Sequence, residues 1–322
     1  MNVKLAVVVG ASTALFSAAG AQAQFLLVPN FSSGKQSIAL FNSTNGALIN
    51  PKFIVGDANN VFSSPREAIE VGHQIWICDQ VANKVFRYDL DTNSFLPAIT
   101  GNATNNLSNI RGMELVGNTM YVANAGTGFG NAIVTIDVPT ATVTGSFAVT
   151  SGLAPWDVQA YNGNLLVSNY SSSSSGNSRI DVYSTGGAFL SNLVLTTNNQ
   201  GGLFGPQQIT VEGNGNLLVG GFSGSPLTAS GVYEYTGAGS NVGFYASGLG
   251  PRGGYRLGNG NIMYTKGDGV WSWDPVQNLG TSLWTGLNQV NATYISPVSF
   301  IPTPGTGALV GMAGMLSIRR RR

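Results

Sequence analysis

Three arginines recur at one place along the chain, each just after a turn residue: Ser64-Pro65-Arg66, Asn109-Ile110-Arg111 and Gly250-Pro251-Arg252. The parallel openings Ala154-Pro155-Trp156 and Gly205-Pro206-Gln207 put Trp156 and Gln207 at the same position. A guanidinium is a planar fork of donors that grips carboxylate or sulfate in bidentate fashion. Arg66, Arg111 and Arg252, once gathered, would make an anion-binding mouth, and Trp156 would add a platform on which a sugar ring can stack. Such arginines have a second use, bracing neighbouring units through Glu67, Asp157 or backbone carbonyls, and the residue types alone admit both.

One position further on lie Glu67, Gly112, Asp157, Gln208 and Gly253, which strand alternation would point to the other side. Two carboxylates, Glu67 and Asp157, with the Gln208 amide could hold calcium weakly; no other cofactor is implied. The run Asp89-Leu90-Asp91-Thr92-Asn93 has the look of a calcium loop but lacks the glycine at its sixth and the carboxylate at its twelfth position, so Asp89 and Asp91 read as turn formers. His73 is the only histidine, and it sits where equivalent segments carry Asn118 and Gly163, which makes it a turn residue. Without a second imidazole, Ser-His-Asp and Cys-His chemistry are disfavoured, and no catalytic residue is assigned. The single cysteine, Cys78, lies in the apolar run Ile75-Trp76-Ile77-Cys78 and reads as a buried thiol.

The elements that position these residues repeat. Gly72-His73, Gly117-Asn118, Asn162-Gly163-Asn164, Asn214-Gly215-Asn216 and Asn259-Gly260-Asn261 are versions of one turn, and the apolar strand after it advances by 45 residues from Ile75 to Met120 to Leu165, by 52 to Leu217 and by 45 to Ile262. Each unit reads as four short strands, a period suited to propeller blades. Such a sheet alone would leave both faces wet, so units must stack, and a ring does so without an exposed end. Residues 25–300 hold 276 positions, roughly six blades at about 45 each, with seven as the runner-up. Phe25-Leu26-Leu27-Val28 starts in second-strand register and Gln289 to Ile295 resembles a lone first strand. The expected fold is therefore an all-β, six-bladed β-propeller in which N- and C-terminal strands close one blade. The irregular loops Asn124 to Asn131, Asn169 to Ser178 and Gly221 to Ser230 fall on the arginine face and bring the aromatics Phe129, Tyr170 and Phe222 near Trp156.

Only 9% of residues are charged, 44 are glycine, and the net charge of +1 leaves no basic surface for nucleic acid. Lys4, the apolar run Leu5 to Phe16 and Ala21-Gln22-Ala23 predict a secretory signal over 1–23, cleaved after Ala23. After the 24–300 body come Pro302-Thr303-Pro304, an apolar run Gly305 to Ile318, and Arg319 to Arg322. As a helix that run would measure about 21 Å against a hydrocarbon core of about 30 Å, a marginal transmembrane span that the arginines would hold by its cytoplasmic end.

This three-part ending resembles the PEP-CTERM sorting signal of bacterial exported proteins, with Thr303 where that family has glutamate. The resemblance implies an exosortase-type processing protease as partner for 301–322, transient anchoring in the inner membrane, and a final place at the cell surface, outer envelope or extracellular matrix. The repeats resemble NHL and YVTN propellers and, more loosely, the gluconolactonase-like group, whose members hold a divalent cation in the channel. The expected function is an exported, surface-sorted, non-catalytic binding module for an extracellular glycan or matrix polymer. The alternative is a metal-dependent lactonase-like hydrolase with its site in the propeller mouth.

Overall fold

A computed structural model of the chain describes residues 24–126, 131–150, 152–171, 177–196, 203–223, 229–246, 250–286 and 288–299. The signal-peptide and sorting readings, with Ala23, Pro302, Thr303, Pro304 and the C-terminal helix, lie outside these residues, as do Phe129 and Ser172 to Ser175.

Within them the chain forms 24 strands in six four-stranded antiparallel sheets. Blade 1 contains β1 (Phe25–Asn30), β2 (Ser37–Asn42) and β3 (Leu48–Ile54); blade 2 contains β4 (Pro65–Val71), β5 (Gln74–Asp79), β6 (Lys84–Asp89) and β7 (Ser94–Thr100). Blade 3 follows with β8 (Ile110–Val116), β9 (Thr119–Asn124), β10 (Ala132–Asp137) and β11 (Thr142–Ala148), and blade 4 with β12 (Ala154–Tyr161), β13 (Asn164–Tyr170), β14 (Arg179–Ser184) and β15 (Phe189–Leu195). Blade 5 is β16 (Pro206–Val211), β17 (Leu217–Gly221), β18 (Gly231–Tyr235) and β19 (Asn241–Tyr245); blade 6 is β20 (Gly253–Arg256), β21 (Ile262–Lys266), β22 (Gly269–Asp274) and β23 (Leu279–Thr285). The last strand, β24 (Ser296–Val298), returns to pair with β1 as the innermost strand of blade 1. The six-bladed ring closed by strands from both ends is thus present as the repeats predict.

The second strand of each blade is covered on both faces, which explains its unbroken apolar runs. In β1, Leu26 and Val28 pack on Leu257 and Met263 of blade 6, whereas Leu27 packs on Ala68 and Ile77 of blade 2. Six buried clusters fill the six seams between neighbouring blades. A fully buried Leu or Ile contributes about 1.5–3 kcal/mol, so these seams supply most of the apolar stabilisation. The tight first hairpins follow from glycine at positive φ, +59° at both Gly72 and Gly117.

One detail departs from the sequence reading. Regular pairing of the closing strand starts at Ser296, beyond the Gln289–Ile295 stretch that resembles a first strand. Only Ala292 of that stretch bridges Asn30, because the register then slips by one residue before Ser296 meets Leu27.

Candidate anion-binding mouth

That slip is a repeated feature. Between first and second strands the register shifts at Pro65/Glu67, Ile110/Met113, Pro155/Asp157 and Pro206/Ile209, at the row holding Arg66, Arg111, Trp156 and Gln207. A β-bulge inserts an unpaired residue and re-aims side chains. Strict alternation, which would send Glu67 and Asp157 away from the arginine row's side, fails here: both rows meet the channel, one above the other.

The upper row carries the cations. Arg66 donates from Nε to Gln80 Oε1 at 2.6 Å and lies over the Phe31 ring, 4.3 Å from its centroid. Arg111 donates to the Pro155 carbonyl oxygen at 3.2 Å and stacks on Trp156 at 3.6 Å. Arg252 donates to Asn291 Oδ1 and the Ala292 carbonyl oxygen, with Phe31 and Phe222 rings 5.1 and 5.2 Å away. The bracing expected of them therefore runs through carbonyls and amides. None of the three forms an ion pair among the described residues, and no residue between 24 and 299 outside that set is acidic. Burial lowers Arg111 and Arg252 to about 10, and the charge of neighbouring Arg66 pushes both the same way. Burial also lowers Arg66. All three remain charged at neutral pH, and the Arg111 Nε is buried without an acceptor.

The lower row closes the channel beneath them. Glu67 Oε2 accepts from the Met113 amide of blade 3, and Asp157 Oδ2 accepts from the Ile209 amide of blade 5 at 2.7 Å. Gln208 reaches across the hub to Ile295, accepting from its amide at 2.9 Å and donating to its carbonyl at 2.7 Å. Gly112 and Gly253 make room: a Cβ would lie 1.9 Å from Asp157 Oδ1 at the first and 2.2 Å from Gln208 Oε1 at the second. Tyr294 fills the blade 1 place in this row, its amide donating to the Arg66 carbonyl at 3.3 Å and its hydroxyl to the Trp156 carbonyl at 2.9 Å. Burial drives Glu67 and Asp157 well above the ordinary carboxylate range, and the charge of Asp157 raises Glu67 further. Glu67, Asp157 and Gln208 each spend an oxygen on a backbone amide, and no group of three or more His, Cys, Asp or Glu suited to a metal occurs among the described residues.

Gln207 is buried in the upper row, with Oε1 lacking a partner. Tyr170 packs edge-on against Trp156 at 6.1 Å and tilted against Phe204 at 6.0 Å, whereas Phe222 is 39% exposed beside Arg252. His73 occupies the β4–β5 turn, its side chain 79% exposed and its Nδ1 3.2 Å from Asp91. Asp89 Oδ1 accepts from the amides of Asp91 and Thr92, as a turn former does. Cys78 is buried, donates to the Arg111 carbonyl oxygen, and is driven up by burial.

Phe31, Asn291 and Tyr294 escape the sequence reading because their roles depend on ring closure. A legible signal did exist in Asp79, Asn124 and Asn169, spaced by 45 residues at the ends of second strands. Asp79 accepts from the Ser63 and Ser64 amides, and Asn124 from the Ser108 amide, so each clamps the opening turn beside an arginine. Asn30 does the same for the closing segment through the Asn291 amide.

The ring is similar to a chain in the crystal structure of a nidogen/laminin complex, with 14% identity, a TM-score of 0.63, and coverage of 84% of this chain and 97% of that one. It is similar also to Kuenenia stuttgartiensis hydrazine synthase, at 15% identity and a TM-score of 0.55, covering 76% of this chain and 71% of that one. Likeness at these identities speaks for the fold alone. No family model matches the chain, and no curated protein matches it.

Proposed function

We propose that the protein is an exported, non-catalytic binding module whose arginine mouth takes carboxylate or sulfate groups of an extracellular glycan or matrix polymer. The observation that carries this reading is the gathering of Arg66, Arg111 and Arg252 at one hub with no ion pair to any of them among the described residues. A cation held by carbonyls and aromatic faces keeps its charge for a ligand, and weakly hydrated guanidinium suits such partly desolvated sites. Trp156 and Phe222 supply apolar faces beside the charges. The ring architecture, shared with a chain from a nidogen/laminin complex, is compatible with a binding role. Export through 1–23, processing of 301–322 by an exosortase-type protease and a place at the cell surface or matrix belong to the same proposal; they rest on the sequence features of the two ends. The lactonase-like alternative would draw on Glu67 and Asp157, each with one oxygen already held by an amide, and has less support.

The test is co-sedimentation with polygalacturonate and chondroitin sulfate, with dextran as the neutral control. Wild type is expected to bind the acidic polymers, more weakly as salt rises, and the Arg66/Arg111/Arg252→Ala variant at least about tenfold more weakly. Equal binding by both proteins, or none by either, overturns the reading.

A further inference from the structure

The channel has a second mouth, and its chemistry is the reverse of the first. On the side of the Gly72 turn the inner strands line a cavity of about 600 Å³. Its polar lining includes Glu67, Glu70, Glu114 and Thr210, its walls include Ile69 and Leu115, and no Lys, Arg or His among the described residues lines it. The Glu70 Oε2 is tied to Ser299 at the rim, accepting from its amide at 2.7 Å and its hydroxyl at 3.0 Å. Deeper in, Thr210 is only 7% exposed, yet its Oγ1 has no hydrogen-bond partner. A buried hydroxyl is ordinarily satisfied, and an orphan facing a cavity is an acceptor awaiting a donor.

We propose that this second mouth binds an aliphatic diamine, with one ammonium held by Glu70 and Glu114, the other donating to Thr210, and the alkyl chain lying on Ile69 and Leu115. The site is distinct from the arginine mouth, from which Tyr294, Gln208, Glu67 and Asp157 divide it, and does not depend on the function assigned there. The cavity is far larger than a metal ion requires. Its carboxylates do not form a cluster suited to a metal, whereas a flexible chain with a cation at each end reaches separate acceptors. A half-apolar wall also favours an organic cation, whose methylenes it covers.

One property of the site adds a readout. Burial pushes Glu114 up to about 7. The titratable groups facing it are Glu67 and Glu70 on β4 and Asp157 on β12, beside the Gln159 amide, so among the described residues no cation offsets its charge. A bound ammonium favours the ionised carboxylate, and binding near neutral pH must therefore release protons.

The experiment is calorimetric titration of the purified chain with diaminobutane, against butylamine and calcium chloride, in two buffers of different ionisation heat near pH 7. Expected are one saturable site for diaminobutane, proton release, and at least about tenfold weaker binding of butylamine and by the Glu70→Gln and Glu114→Gln variants. Thr210→Val should weaken binding about threefold, and the triple arginine variant should bind as wild type does. The nearly isosteric Glu→Gln changes preserve the fold, checked by circular dichroism, and the proton release is read on wild type and needs no variant. Absence of saturable binding, affinity unchanged in both glutamine variants, or calcium binding in preference to the diamine overturns the proposal.

Discussion

The Tyr294 hydroxyl donates to the Trp156 carbonyl oxygen at 2.9 Å, spanning the hub from blade 1 to the blade opposite it. The contact links the closing segment to a strand 138 residues away in sequence and lies beneath the arginine row. Tyr294→Phe keeps the ring's volume and removes only the donor. Loss of a hydrogen bond whose acceptor stays buried costs about 1–3 kcal/mol. Urea unfolding should show a lower midpoint at unchanged slope. An unaltered midpoint would mean that the bar fills space without holding the ring.

Gly112 is required by proximity, not by backbone conformation. Its Cβ would sit 1.9 Å from Asp157 Oδ1 and 2.7 Å from Asp157 Cα, and the second contact cannot be relieved by rotating a side chain. Gly112→Ala should therefore destabilise by about 1–3 kcal/mol or more through overpacking. Gly117 is the control: its substituent would meet open space, and only its φ of +59° resists alanine, at about 1–2 kcal/mol. Midpoints that rank Gly117→Ala as the more damaging change would contradict the packing seen at the hub.

The ring was legible because a hairpin turn writes itself into local residues. Gly72, Gly117, Gly163, Gly215 and Gly260 all adopt positive φ, so their spacing directly reports blade spacing. The closure was legible for a similar reason, as an apolar register missing its first partner at Phe25, although the strand that supplies the partner starts at Ser296, beyond the stretch Gln289 to Ile295. The hub was less so. Alternation is a property of regular strands, and the slip at Pro65/Glu67 and its equivalents places consecutive residues on the channel, which no local pattern announced. Phe31 beside Arg252 and Tyr294 under Trp156 join segments far apart in the chain, and only closure brings them together.

Arg111 tests whether the upper mouth works by charge or by shape. Its guanidinium lies flat on Trp156 at 3.6 Å while donating to the Pro155 carbonyl. Arg111→Lys keeps the charge but loses the planar fork. Binding of polygalacturonate should fall about threefold to tenfold, with an altered Trp156 fluorescence maximum, while its salt dependence stays close to that of wild type. Affinity equal to wild type would leave charge alone as the recognition element.

Glu114 makes stability depend on pH in a direction opposite to that of ordinary paired carboxylates. Its ordinary value is 4.5; burial raises it to about 7, partly offset by hydrogen bonds from the Ala160 amide and the Gln159 side chain. Between those values the native state keeps a proton that the unfolded chain has released, so stability falls as pH rises through the window and levels off above it. Glu67 and Asp157, also raised by burial, act with the same sign. Allowing for solvent at the cavity, the Glu114 share is on the order of 2 kcal/mol. Urea midpoints should therefore be higher at about pH 5 than at about pH 8, and Glu114→Gln, which mimics the protonated acid, should shrink that difference mainly by gaining stability at the higher pH. A variant that keeps the full wild-type difference would assign the retained proton to the Glu67 and Asp157 pair instead.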